Sequence, residues 1–325
     1  MKKIGLVLEG GGAKCAYQNG VLAVLEAAGY KFDGIAGTSY GAVNGALYLE
    51  GKNKRLDEFW SNLSGGKMFN DDKFDEILND FYHKENLVSF DKIKFFKSGL
   101  NDTAGLLNSL TEGYRKVIYD NVNEKAIRNN KCEFYLVTCK MTQTRNLFLE
   151  GLKKILNPLS IIIDMFKPDY PGRFYQQMQM TPVEISKDEI KVGLLADYVI
   201  ASASNPPFKP MEIDGDKYFD GGAYANCPYE TLKKKGYKDL VIIRTNVGEI
   251  VDEDLNLQVI VPKESLGSCA LFATDNIKDL RRRGLMDGIE FVDKIKGNNF
   301  FWKLKKKKLL ELYKWELSVT KVTLF

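Results

Sequence analysis

Within the first fifty residues, two short apolar runs each end in a small-residue turn and give way to a helical pattern. Ile4–Leu8 (IGLVL) stops at Glu9 and meets Gly10-Gly11-Gly12. Beyond it, Cys15, Ala16, Val21, Leu22, Leu25 and Ala28 recur at helical spacing, with Gly29 as the expected stop. Phe32–Ala36 is the second apolar run; the turn Gly37-Thr38-Ser39-Tyr40-Gly41 follows, then a helix over Tyr40–Glu50. A continuous apolar run, unlike an alternating one, describes a strand buried on both faces. Strand, helix, strand, helix therefore points to a layered α/β fold with a largely parallel sheet.

Further along, residues 55–130 read as a helical insertion rich in Phe, Tyr and Lys, with Gly99 and Gly105 as breakers. Phe134–Thr138 resumes strand character, and residues 150–182, with Pro158, Pro168, Pro171 and Pro182, read as an irregular cap. The apolar stretch ILNPLSIIIDMF (155–166) is broken by Pro158 and Asp164 and reads as a buried or lid helix in preference to an interfacial one. MEIDGDKYF (211–219) predicts a hairpin turning at Asp214-Gly215, and Leu240–Arg244 another buried strand. The division expected is one catalytic domain, 1–295, and a basic helical tail, 296–325.

Charge excludes some functions. With 47 basic and 43 acidic side chains the net charge is +4, too small an excess to argue for nucleic acid. The five cysteines are scattered and odd in number, which fits reduced thiols in a cytoplasmic protein rather than a disulfide framework. With one histidine and no CxxC pair, no metal or other cofactor is expected. No run of about 18 apolar residues predicts a spanning helix. The tail FFWKLKKKKLLELYKW (300–315) is the one locally basic stretch, with Trp302, Leu309, Leu310, Leu312, Tyr313 and Leu317 on one side. It fits peripheral contact of 300–317 with an anionic inner membrane surface and equally a helix docked on the domain.

Three short segments carry the chemistry. Ser39 sits where a strand turns sharply into a helix, and the small residues Gly41, Ala42, Gly45 and Ala46 let that helix pack closely behind it. Such a turn exposes a hydroxyl for attack on an acyl carbon. Gly10-Gly11-Gly12, between a strand and a helix, leaves backbone N–H groups free to hold a developing oxyanion. Its spacing matches neither G-x-x-x-x-G-K-[ST] nor G-x-G-x-x-G. Asp220 opens YFDGGAYANCP directly after a short strand. In a tight glycine turn its carboxylate can reach a serine hydroxyl, provided a desolvated cleft raises its pKa; alone it also fits a turn cap. The lone His83 precedes Asp220, so the order Ser, acid, His of an α/β-hydrolase triad cannot form.

Together these segments resemble the patatin-like phospholipase family, which pairs a glycine-rich loop, G-x-S-x-G and a distant D-G-G/A continued as N-x-P. Here they are Gly10-Gly11-Gly12 with Lys14, Gly37–Gly41 with Ala42 and Asn44, and Asp220-Gly221-Gly222 with Asn226 and Pro228. LLADYVIASASNPPFKP (194–210) is similar to the family's A-S-x-A-x-P stretch. The resemblance covers about residues 4–245 and implies a three-layer α/β/α sandwich with a mostly parallel central sheet. It further implies a Ser39–Asp220 dyad without histidine, an oxyanion hole from Gly10, Gly11 and Gly12, and an acyl-serine intermediate. Lys14, Gly37, Gly41, Gly221, Gly222 and Asn226 would support these groups. The substrate implied is a phospholipid or other acyl lipid. Lys14 stands where the family commonly has arginine, and Cys15 where it has glycine. A non-catalytic lipid-binding protein of the same fold, and an acyltransferase using the same acyl-enzyme, remain open alternatives.

Overall fold

The computed structural model describes residues 3–69, 72–83, 103–141, 180–205 and 208–314. In chain order its elements are β1 (Ile4–Leu8), a 3-10 turn (Gly12–Cys15), α1 (Ala16–Ala28), β2 (Gly34–Thr38) and α2 (Tyr40–Asn62). Four helices follow: α3 (Gly65–Phe69), α4 (Lys73–His83), α5 (Thr103–Tyr119) and α6 (Glu124–Asn129). Then come β3 (Glu133–Met141), β4 (Met180–Ser186), α7 (Leu195–Ser202), β5 (Met211–Ile213) and β6 (Asp216–Asp220). The chain continues through α8 (Gly222–Ala225), α9 (Tyr229–Lys234), β7 (Asp239–Ile243), β8 (Asn256–Ile260), α10 (Thr274–Lys296) and α11 (Phe300–Leu312).

All the strands join one eight-stranded sheet ordered β5-β6-β3-β2-β1-β7-β8, with β4 also paired to β3. β3, β2, β1, β7 and β8 are parallel; β4 and β6 run antiparallel to β3. The apolar runs split by alternation, as strands must. Leu6, Leu8, Ile35, Phe134, Leu136, Val241 and Ile243 face the thick helical layer built from α1, α2, α7 and α10. Val7, Ala36, Tyr135, Leu240 and Ile242 face a thinner layer in which Leu232 of α9 and Tyr237 are the main cover. The central sheet is thus covered on both faces, as expected, but unequally.

The register of β3 positions the site. Tyr135–Val137 pair with β4 on one edge and with Ala36–Thr38 of β2 on the other. One residue later, Thr138–Lys140 keep β4 but exchange β2 for β6, with Thr138 opposite Asp220. β2 and β6 therefore occupy the same edge end to end and run toward each other. Their tips, Thr38 and Asp220, lie opposite consecutive residues of β3.

Several sequence expectations shift. β2 starts at Gly34, later than Phe32, whereas the helix after Ser39 runs to Glu50 as expected before a second arm continues α2 to Asn62. It breaks at Gly51 and Lys52 and doubles back, so Trp60 Nε1 donates to Asn44 Oδ1 at 2.9 Å. A straight helix would hold residues 44 and 60 about 24 Å apart. Gly105, expected as a breaker, lies inside α5. Residues 180–182 belong to β4 and not to a cap. The rest of the expected cap from 150 on, the 155–166 stretch and Gly99 fall outside the described residues. The tail is docked: Trp302, Leu309 and Tyr313 are buried, and the Tyr313 hydroxyl donates to Asp57 Oδ2 at 2.6 Å. Leu312, expected on that side, is 74% exposed; Leu317 lies outside the described residues.

Candidate active site

Ser39 directly follows β2 with φ 56° and ψ −134°, a conformation that L-residues avoid unless the surroundings impose it. Gly37 and Gly41 make it feasible. A Cβ on Gly37 would sit 2.5 Å from the Gly41 carbonyl oxygen, and one on Gly41 would sit 2.2 Å from that of Leu8. The spacing G-x-S-x-G is thus a steric requirement of this turn.

β6 brings Asp220 to the same point from the opposite direction. The Gly222 N–H donates to Asp220 Oδ1 at 2.6 Å, and the Ser39 hydroxyl lies near enough to the carboxyl to favour its ionised form. Asp220 is 3% exposed, and burial pushes its carboxyl from 3.8 to about 7 although Ser39 and the Gly222 N–H both favour the ionised form. Gly221 has no room for a side chain, since its Cβ would stand 2.1 Å from the Val137 carbonyl oxygen.

The segment 202–204 ties the two strand tips together. Buried Ser202 donates its hydroxyl to the Val137 carbonyl at 2.6 Å and accepts the Ser39 N–H at 3.0 Å. The Ser202 carbonyl accepts the Gly221 N–H, and the Ser204 carbonyl accepts the Asp220 N–H, both at 3.2 Å. Ser39 and Asp220 are held by one short stretch, whose sequence was legible as A-S-A-S but whose role was not.

The glycine loop lies against this pair. A Cβ on Gly10 would come within 2.9 Å of Ser39 Cβ, and Gly12 has φ +55° with its Cβ position 2.2 Å from the Cys269 carbonyl oxygen. The Gly10 N–H donates to the Asn226 carbonyl at 2.9 Å, so Gly10 supplies space rather than a donor. Among the described residues, no backbone acceptor takes the N–H of Gly11 or Gly12. Asn226 also donates its side-chain amide to the Gly10 carbonyl at 3.2 Å, strapping the loop to the aspartate turn. Lys14, 7% exposed, donates to Asn246 Oδ1 at 2.6 Å.

Glu9, which sequence reasoning missed, organises the loop from behind. Its buried carboxylate accepts Arg244 Nε at 3.0 Å, Thr245 N–H at 2.6 Å and Asn246 N–H at 3.1 Å. Thr245 in turn donates to the Gly10 carbonyl at 2.5 Å. An acidic residue closing an otherwise apolar strand was the available signal. His83 pairs with Asp275 at 2.9 Å on the surface and touches neither Ser39 nor Asp220. Burial pushes the Cys15, Cys139 and Cys269 thiols up, with Asp220 adding to each, so they are held protonated. Among the described residues no cluster of His, Cys, Asp and Glu is placed to hold a metal.

Comparison with known proteins bears on this geometry. A family model described as Patatin-like phospholipase matches residues 6–233, a span containing Gly10–Gly12, Ser39 and Asp220. Over 47 residues the chain is 57% identical to Lysophospholipase nte1 of Aspergillus terreus, a stretch amounting to 14% of this chain and 3% of that relative. Among solved structures, VipD from Legionella pneumophila is similar over 90% of this chain and 67% of its own, with 12% identity and a TM-score of 0.43.

Proposed function

Since the chain belongs to the patatin-like phospholipase family, we propose that it is a lipid acyl hydrolase in which Ser39 is the nucleophile and Asp220 the general base. The observation that carries this reading is the meeting of the strained Ser39 turn at the tip of β2 with a buried carboxyl at the tip of β6, which burial pushes up to about 7. An ordinary carboxylate is too weak a base to draw a proton from an alcohol; one raised toward neutrality is better matched, and transfer is concerted with attack.

Ser39 Oγ adds to the ester carbonyl carbon as its proton passes to Asp220. The N–H groups of Gly11 and Gly12 hold the resulting oxyanion, where a desolvated donor is worth more than in water. Collapse of the tetrahedral species breaks the bond to the leaving alcohol, which takes the proton from Asp220. Water then adds to the acyl-serine, giving its proton to Asp220, and Ser39 recovers a proton as the fatty acid departs. A glycerophospholipid or lysophospholipid ester is the substrate class proposed. The five free thiols support action in a reducing compartment, the cytoplasm. Among the described residues no helix is long and apolar enough to cross a membrane.

Hydrolysis of a phospholipid and of a short-chain ester tests the scheme. Ser39→Ala should reduce both to background, and Asp220→Asn should cost about 10²–10⁴-fold in kcat. His83→Ala should leave both rates unchanged. A folded Ser39→Ala protein that still turns over either ester would overturn the proposal. Product analysis in the presence of an alcohol acceptor separates hydrolysis from acyl transfer.

A further inference from the structure

α11 presents two dissimilar faces. Its inner face buries Trp302, Leu309 and Tyr313, anchored by Trp302 Nε1 on Asp293 Oδ1 at 2.7 Å. Its outer face leaves Phe300 67%, Phe301 73%, Leu304 52% and Leu312 74% exposed. Between these apolar side chains stand Lys303, Lys305, Lys307 and Lys308, all exposed. Lys306 alone among the helix's lysines turns inward, pairing with Asp293 at 2.5 Å. Among the described residues none of the other four has a carboxylate partner, and Glu311 is the only acidic residue on the helix.

We infer that the outer face of α11 is an adsorption surface for an anionic lipid bilayer, lying in the plane of the headgroups. Exposed phenylalanines and leucines next to unpaired lysines have complementary uses there: the rings and alkyl groups enter the acyl boundary while the ammonium groups meet lipid phosphates and carboxylates. A second copy of this chain would offer the same face, and a two-fold contact would set lysine against lysine. Nucleic acid would use the charge and the aromatic rings but not Leu304 and Leu312. The anionic bilayer accounts for all of the outward side chains except Glu311. The inference does not depend on Ser39 or Asp220, and failure of the catalytic scheme leaves it standing.

The test uses the full chain and sedimentation with large unilamellar vesicles of phosphatidylcholine alone or containing about one third phosphatidylserine. Wild type and Ser39→Ala should bind the anionic vesicles alike, bind phosphatidylcholine weakly, and release as salt rises. Phe300→Ser/Phe301→Ser and Lys303→Glu/Lys307→Glu should each weaken anionic binding by at least about tenfold. Both should keep the wild-type melting temperature and short-chain esterase rate. Equal binding by wild type and both double variants would overturn the inference. So would absence of vesicle binding at low salt, whether accompanied by oligonucleotide binding or by a dimer that the same substitutions dissolve.

Discussion

Asp220 carries the site's electrostatic tension: burial raises its carboxyl to about 7 while Ser39 and the Gly222 N–H pull the other way. In the proposed role of general base it must be ionised. kcat/KM should therefore climb with pH to a plateau above about 7 and fall about 100-fold by pH 5; a profile flat from pH 5 to 8 contradicts the assignment. The same shift bears on stability. The unfolded acid loses its proton near 3.8 and the folded acid near 7, so between those values the unfolded state binds fewer protons and stability falls as pH rises. Asp220→Asn avoids that cost, a few kcal/mol by the size of the shift. In melting experiments its advantage over wild type should open between pH 4 and 7 and hold steady above; an advantage already complete at pH 4 would contradict this. Ser202 poses a separate question, because its hydroxyl accepts the N–H of the strained Ser39. Ser202→Ala leaves that group unpaired, at a cost of about 1–3 kcal/mol. It should lower kcat and the rate of fluorophosphonate labelling together, with KM little changed; a rise in KM alone would assign Ser202 to substrate binding.

Among the elements, the head-on approach of β2 and β6 along one edge of β3 brings together residues 181 positions apart in the chain. Its three local pieces were legible: a buried strand before each turn, glycines where a Cβ would strike backbone, and an acid at a strand end. The register that joins them was not, because it is set by β3 exchanging one partner for another between Val137 and Thr138. Glu9 and Ser202 stayed unassigned for the same reason, their partners being remote in sequence. The strands β4 and β8 were missed because each draws its order from an existing neighbour, β3 and β7. Packing of α1 on α10 also depends on remote contacts: a Cβ on Gly284 would stand 1.9 Å from the Tyr17 carbonyl oxygen. Gly284→Ala should destabilise by about 1–3 kcal/mol in denaturant titration, since backbone cannot yield as a side-chain tip can. Ile295→Ala, on the exposed side of α10, should change stability by no more than about 0.5 kcal/mol. Equal effects would show that the close approach is not what holds these helices.

At the scale of the whole molecule, the C-terminal helix is bound into the same body as the sheet and its helical cover. Asp57 joins Asn19, Asn53, Arg281 and Tyr313, so α1, the return arm of α2, α10 and the end of α11 share one buried polar cluster. Trp302→Ala, removing a side chain 2% exposed, should cost about 3–5 kcal/mol and move the entire unfolding transition. Circular dichroism and esterase activity should be lost together; an early partial transition with activity intact would make the helix a separate unit. The proposed activity rests on a serine activated by a carboxylate alone. The most direct measurement is mass-spectrometric mapping of fluorophosphonate label on wild type, Asp220→Asn and His83→Ala. The account predicts a single adduct on the Ser39 peptide, formed at least about 100-fold more slowly in Asp220→Asn and at the wild-type rate in His83→Ala. An adduct on another residue, or undiminished labelling in Asp220→Asn, would contradict it.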